Sequence, residues 1–228
     1  MSKQFHPAPL PVVPGQSNYA RRVWWRGFEL TPGVTLKTTA RLRPTLAARA
    51  HNPRHLLLAL IQAASAALSL HPRLNFYTFW GRLVWAGLPV RVGVVMEKPD
   101  FTCYLANLTD AHNQSWAELH RVIKEARQTQ PPSLPERLRE ACPLPAYALE
   151  RLSGSWTRRY QRAKAPLVIS MLALPGIEGL TFTDAHSMAL YPGWPEDGRL
   201  PLTLCFNHQL ANARPMGRFL LTIREMLE

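Results

Sequence analysis

His208 is the residue around which the chemistry of this chain is organised. It stands at the end of the apolar run Leu200 to Phe206, and a stretch from Arg214 with Phe219, Leu220, Ile223 and Leu227 at helical spacing follows it closely. A histidine at a strand-to-helix junction can be held rigidly while one ring nitrogen stays free for proton transfer. Ser170 closes a second apolar run, Pro166 to Ile169, that reads as a strand. There is no G-x-S-x-G elbow, which argues against Ser170 as a hydrolase nucleophile, and no Gly-rich phosphate loop. The remaining histidines, among them His55, His112, His120 and His186, form neither HExxH nor another metal-ligand spacing, so a metal is not expected.

The elements that must position these residues can be read in order. Residues 1–17 are proline-rich and predict an extended arm; residues 18–228 show no linker and no repeat and read as a single domain. Val34 to Leu42 alternates and is rich in Thr and Val, as a strand would be. Pro53 opens a helix whose apolar face is Leu57, Leu60, Ile61, Ala64 and Leu68, and His71-Pro72 ends it. Strands are predicted over Phe76 to Trp80 and Leu83 to Ala86, joined through Gly81-Arg82, then over Val90 to Met96 and Phe101 to Leu108. Trp116 to Arg127 is amphipathic. Ser133-Leu134-Pro135-Glu136 fits a capping box for a short helix to Ala141, and Tyr147 to Tyr160 has helical character interrupted by Gly154. Leu180 to Thr183 and Ser187 to Tyr191 are extended, and Asp197-Gly198 is a hairpin turn leading back to His208.

Several of these segments together resemble the chloramphenicol acetyltransferase and dihydrolipoamide acyltransferase superfamily. Its signature is His-x-x-x-Asp-Gly between a strand and a helix; here it reads His208, three residues, Asn212, Ala213. Against the acyltransferase form Asp-His-Arg-x-x-Asp-Gly, the chain has Asn207, Gln209, Asn212 and Ala213 at the Asp, Arg, Asp and Gly positions. Trp24, Trp25, Arg26 and Phe28 resemble the family's early Trp-x-Arg-x-x-x-Phe segment, Val34 to Leu42 its first core strand, Pro72-Arg73-Leu74-Asn75 its Pro-x-Leu-Asn turn, and the stretch from Ser170 its Ile-Ser-Asn-Leu-Gly region. The resemblance implies a two-layer α/β sandwich around a mixed sheet, assembled as a homotrimer. It implies that His208 is the general base, that Ser170 stabilises the oxyanion, and that the two face each other across a subunit boundary in a tunnel entered by a pantetheine arm. It places Asn212 in the orienting role of the family aspartate. An arginine paired with that aspartate would need another partner, with Arg21, Arg22 and Arg26 as candidates. Alanine at 213 requires a negative φ where the family has glycine.

Composition bounds the partners. The chain has 228 residues and a formal charge of +12, from 27 Lys and Arg against 15 Asp and Glu, which suits an acidic carrier protein or a phosphorylated cofactor. The densest basic run, Arg158, Arg159, Arg162 and Lys164, is ordinarily a solvated face, yet could meet a cofactor phosphate or a carrier. No recognisable nucleic-acid module accompanies the charge, which weighs against specific nucleic-acid binding. Cys103, Cys142 and Cys205 are too widely spaced for a metal site and odd in number, as expected of reduced thiols in a cytoplasmic protein. The N-terminus lacks a signal-peptide core, and Leu56 to Leu70 is short for a bilayer span. Leu172, Leu174, Phe182 and Trp194 could line a tunnel or pack in the core. The expected activity is acyl transfer from an acyl-CoA or acyl-carrier thioester to a hydroxyl, amine or thiol of a small molecule, with no tightly bound cofactor. The short stretch ahead of the core argues for a stand-alone enzyme of specialised metabolism. The alternative, raised by Asn212 and Ala213, is a catalytically silent relative that binds or assembles.

Overall fold

The computed structural model describes residues 33–79, 82–97, 103–128, 165–171, 187–208 and 211–228. The predicted helices around Ser133 to Ala141 and Tyr147 to Tyr160, the strand at Leu180 to Thr183, the N-terminal arm and the Trp24 segment lie outside these residues.

The described chain begins with β1 (Gly33–Arg41), followed by a single helical turn, α1 (Pro44–Ala47), and by α2 (Pro53–Leu70). Asn52 opens α2 by accepting a hydrogen bond from the Arg54 amide, and Pro53 occupies the first turn, where its missing N–H removes no helical bond. Leu56, Leu60, Ile61, Ala64 and Leu68 of α2 are buried. The helix has a mean hydropathy of 1.2, which together with its 18 residues would satisfy a membrane span, but its apolar side chains face the protein core. It stops before Pro72, as predicted, and passes through a 3-10 turn, Pro72–Leu74.

A hairpin of β2 (Phe76–Phe79) and β3 (Arg82–Trp85) forms a separate two-stranded sheet. Then come β4 (Arg91–Glu97), β5 (Cys103–Thr109), α3 (Trp116–Gln128), β6 (Leu167–Ser170), β7 (Met188–Pro192), β8 (Arg199–Asn207) and α4 (Ala213–Leu227). A capping box starts α3: the Ser115 amide donates to Glu118 Oε2 at 2.8 Å, and the Glu118 amide donates to Ser115 Oγ.

The main sheet has six strands in the order β1-β8-β7-β6-β4-β5. The pairs β1–β8, β7–β8 and β4–β5 are antiparallel, whereas β4–β6 and β6–β7 are parallel. The sheet is mixed, as the resemblance implies. The turn into β8 is built as its residues require: Asp197 and Gly198 have φ of 49° and 71°, and Glu196 and Arg199 exchange two backbone hydrogen bonds around them. Glycine takes the second left-handed position at no steric cost.

Alternation divides the sheet into two faces. Leu200, Leu202, Leu204 and Phe206 of β8, with Met188 and Leu190 of β7 and Leu167 and Ile169 of β6, are buried in the same core as α2 and α4. From α4 the core receives Met216, Phe219, Leu220, Ile223 and Leu227. Phe206 and Phe219 are among its largest fully buried side chains. At roughly 1.5–3 kcal/mol for each large apolar side chain removed from water, this layer is what anchors α4, and with it the chain that follows His208.

Candidate active site

β8 is a nine-residue strand held on both sides. Its C-terminal end pairs Asn207 with Gly33 of β1 and Phe206 with Met188 of β7. His208 is the next residue, in a turn and half-buried. Two ladders therefore hold the two residues before it, and α4 starts at Ala213. The arrangement is the strand, histidine and helix sequence expected from the residue pattern.

Asn212 sits at the N-cap of α4 with φ −73° and ψ 165°. It is exposed, and its side chain accepts no capping hydrogen bond from the helix. Ala213 is the first residue of the helix and is not among the described residues with positive φ, so replacing the family glycine brings no backbone strain here.

Ser170 is the last residue of β6 and is half-buried. The register locates it relative to His208. Ile169 pairs with Leu190, which puts Ser170 level with Tyr191, and Tyr191 pairs with Thr203 of β8. His208 lies five residues beyond Thr203, about 17 Å farther along the strand and two strand spacings, about 10 Å, across the sheet. Within one chain the two residues are therefore about 20 Å apart, too far for a rotamer change to bring them together.

The other predicted residues separate clearly. His112 Nδ1 is 2.9 Å from the hydroxyl of Ser65, which is fully buried, so this histidine belongs to the packing of α2 against the turn before α3. His55 stacks on Trp116, with ring centroids 5.6 Å apart, and Trp116 donates to Gln62 Oε1. Cys205 is buried, 3.3 Å from Thr35 Oγ1, and burial pushes its thiol above the ordinary range, which makes it inert. Trp194 is half-buried in the β7–β8 connection. Arg21, Arg22, Arg26, Arg158, Arg159, Arg162, Leu172, Leu174, Phe182 and His186 lie outside the described residues. Among the described residues, no group of His, Cys, Asp and Glu side chains could hold a metal ion.

The fold also assembles a feature that the linear sequence hides. Leu70, His71, Pro72, Arg73 and Leu74, from the end of α2 and its 3-10 turn, face Arg214, Pro215 and Arg218 of α4 across an open cleft of about 570 Å³. His71 and Thr222 are joined by a 2.9 Å hydrogen bond from Nε2 to Oγ1. The Thr222 hydroxyl donates to the Arg218 carbonyl, so His71 Nε2–H must be the donor and Nδ1 keeps its lone pair. Partial burial lowers the His71 pKa below its ordinary value.

No protein-family model and no curated protein sequence matches the chain. Solved structures do. A probable dihydrolipoamide acetyltransferase from Listeria monocytogenes 4b F2365 aligns with a TM-score of 0.59 at 12% identity, covering 96% of this chain and 95% of the other. A chloramphenicol acetyltransferase aligns with a TM-score of 0.55 at 12% identity, covering 93% and 96%. The fold is that of the chloramphenicol acetyltransferase and dihydrolipoamide acyltransferase superfamily. The Azotobacter vinelandii dihydrolipoamide acetyltransferase has the same acyltransferase fold, with a TM-score of 0.57 at 18% identity over 92% of this chain and 86% of that one. In that protein the roles of a serine, a histidine and an asparagine in the catalytic mechanism have been investigated, the asparagine four positions after the histidine.

Proposed function

We propose that the chain is an acyltransferase that moves an acyl group from a CoA or acyl-carrier thioester to a hydroxyl, amine or thiol acceptor, and that it works as a homotrimer. The observation that carries this reading is the position of His208, directly after the last residue of β8 and five residues before α4, in the acyltransferase fold. Its imidazole would take the proton from the acceptor as that group attacks the thioester carbonyl. The hydroxyl of Ser170 would donate to the resulting oxyanion, and collapse of the tetrahedral intermediate would expel the CoA or carrier thiolate. Ser170 lies about 20 Å from His208 within one chain, so in this reading the serine of each site comes from a neighbouring chain of the homotrimer. Arg158, Arg159 and Arg162 are retained as proposed contacts for a phosphate or an acidic carrier.

Asn212 is compatible with activity. The His208-to-Asn212 spacing equals that of the histidine and asparagine studied in the Azotobacter protein's mechanism. The same residue favours the second reading, a silent relative that binds or assembles, because it lacks the charge of the family aspartate and is exposed with no capping bond. Free-thiol release from a panel of acyl-CoA and acyl-carrier donors, with thiol, amine and hydroxyl acceptors, separates the two. Acceptor-dependent release that His208→Ala abolishes supports transfer; equal inertness of two folded proteins across the panel supports the silent reading.

A further inference from the structure

The cleft between the end of α2 and the start of α4 has no role in the scheme above. Its charged lining is wholly cationic: Arg73 comes from the 3-10 turn, and Arg214 and Arg218 come from successive turns of α4, with no acidic residue among the lining side chains. Among the described residues none of the three guanidinium groups has an ion-pair partner, although other arginines do, as in Arg121–Glu125 and Arg224–Glu228. Three like charges gathered around one cavity repel each other, and an anion seated between them relieves that repulsion. Arginine is the side chain suited to such a ligand, since its planar fork can place two parallel N–H donors on a phosphate.

Two further features of the same cleft agree. The first turn of α4 contains no acidic residue and the Asn212 side chain leaves its opening amides uncapped, so the positive end of the helix is not neutralised from within. Apolar surface is interleaved with the arginines on both sides: Leu70, 64% exposed, and Pro72 accompany Arg73, and Pro215 accompanies Arg214 and Arg218. A cleft lined by both arginines and apolar side chains fits a phosphate ester with an organic body better than it fits a free inorganic ion. Arg214 is six residues from His208, so at most about 20 Å of extended chain separates them.

We propose that this cleft binds the phosphate groups of the thioester donor, with Arg73, Arg214 and Arg218 as the phosphate-contacting residues. The identity of the ligand as the donor rests on the acyltransferase reading; the capacity to bind phosphate does not. Those phosphates are either the diphosphate that joins pantetheine to adenosine, or the 3′-phosphate of the ribose.

The test is calorimetric titration of the full chain at low ionic strength with CoA, dephospho-CoA and inorganic pyrophosphate. The wild type is compared with an Arg73→Gln/Arg214→Gln/Arg218→Gln variant, folding being checked by circular dichroism. The expected result is that CoA binds the wild type and that the variant binds it about 10- to 100-fold more weakly, given the usual strength of charge-assisted hydrogen bonds. An equal loss for CoA and dephospho-CoA assigns the diphosphate, and a loss confined to CoA assigns the 3′-phosphate; both support the site. Unchanged CoA affinity in a folded variant overturns it, as does a wild type that binds neither CoA nor pyrophosphate. Loss of pyrophosphate binding alone, with CoA unaffected, overturns the assignment to the donor. Should the variant misfold, Arg214→Gln and Arg218→Gln singly, both at exposed positions, give the same comparison. His208→Ala is expected to retain wild-type CoA affinity, so failure of turnover and failure of this site are read separately.

Discussion

At the scale of single residues, the proposed reaction gives His208 and Ser170 different parts, so their variants should fail differently. General-base catalysis contributes about 10²–10⁴-fold, so His208→Ala should lower kcat by that factor with the fold intact. Loss of one oxyanion donor typically costs about 10²–10³ in kcat, so Ser170→Ala should lower kcat within that range and leave donor affinity unchanged, as steady-state kinetics and calorimetry would show. His71 supplies a pH test that does not depend on catalysis. Its folded pKa lies below its ordinary 6.5 because of burial, with Arg73, Arg214 and Arg218 the charged residues that line its cleft. The unfolded chain therefore takes up the proton first, and stability falls as pH drops through the range just below about 6.5. His71→Gln keeps a donor for Thr222 and removes the titration. Thermal melts should show a shallower acid slope for the variant; parallel slopes would contradict the assignment.

At the scale of elements, packing on both faces of the sheet is specific enough to predict. A methyl group at Gly93 of β4 would stand 3.2 Å from Val168 Cγ2 of β6 and 3.3 Å from Ala165 Cβ. Gly93→Ala should therefore destabilise by about 1–3 kcal/mol, measured by denaturant unfolding, and a stabilised variant would contradict the observed registry of β4 and β6. The elements themselves were largely legible. Val34 to Leu42 differs from β1 by a single residue at each end, and the Leu42 amide still bonds the Gly198 carbonyl at 2.8 Å, the next pair in the β1–β8 register. Pro53, Pro72 and Asp197-Gly198 act locally, and they mark the same boundaries in sequence and structure. The capping box at Ser115 and Glu118 is equally local, whereas the one expected at Ser133 lies outside the described residues. The arginine cleft could not be read in the same way. Arg73 is far from Arg214 in sequence, and only the packing of α2 against α4 makes them neighbours, whereas a linear reading gives weight to dense runs such as Arg158 to Lys164.

At the scale of the whole molecule, sheet order decides how the site can be built. The strands β6, β7 and β8 are adjacent, yet parallel pairing of β6 with β7 and antiparallel pairing of β7 with β8 make β6 and β8 run in opposite directions, which leaves Ser170 about 20 Å from His208. Sequence resemblance named both residues and implied a site shared between subunits; the register agrees, because it holds the two apart within one chain. In a closed ring of three chains each site would take its histidine from one subunit and its serine from the next, a heterologous contact repeated around a three-fold axis. The most direct test is complementation. His208→Ala and Ser170→Ala chains are refolded together in equal amounts, and acceptor-dependent thiol release is compared with that of each variant refolded alone. Random assembly places an intact histidine opposite an intact serine in about a quarter of the sites, so the mixture should recover up to that share of wild-type activity. A mixture no more active than the average of the two variants, in assemblies shown to contain both chains, would contradict a site shared between subunits.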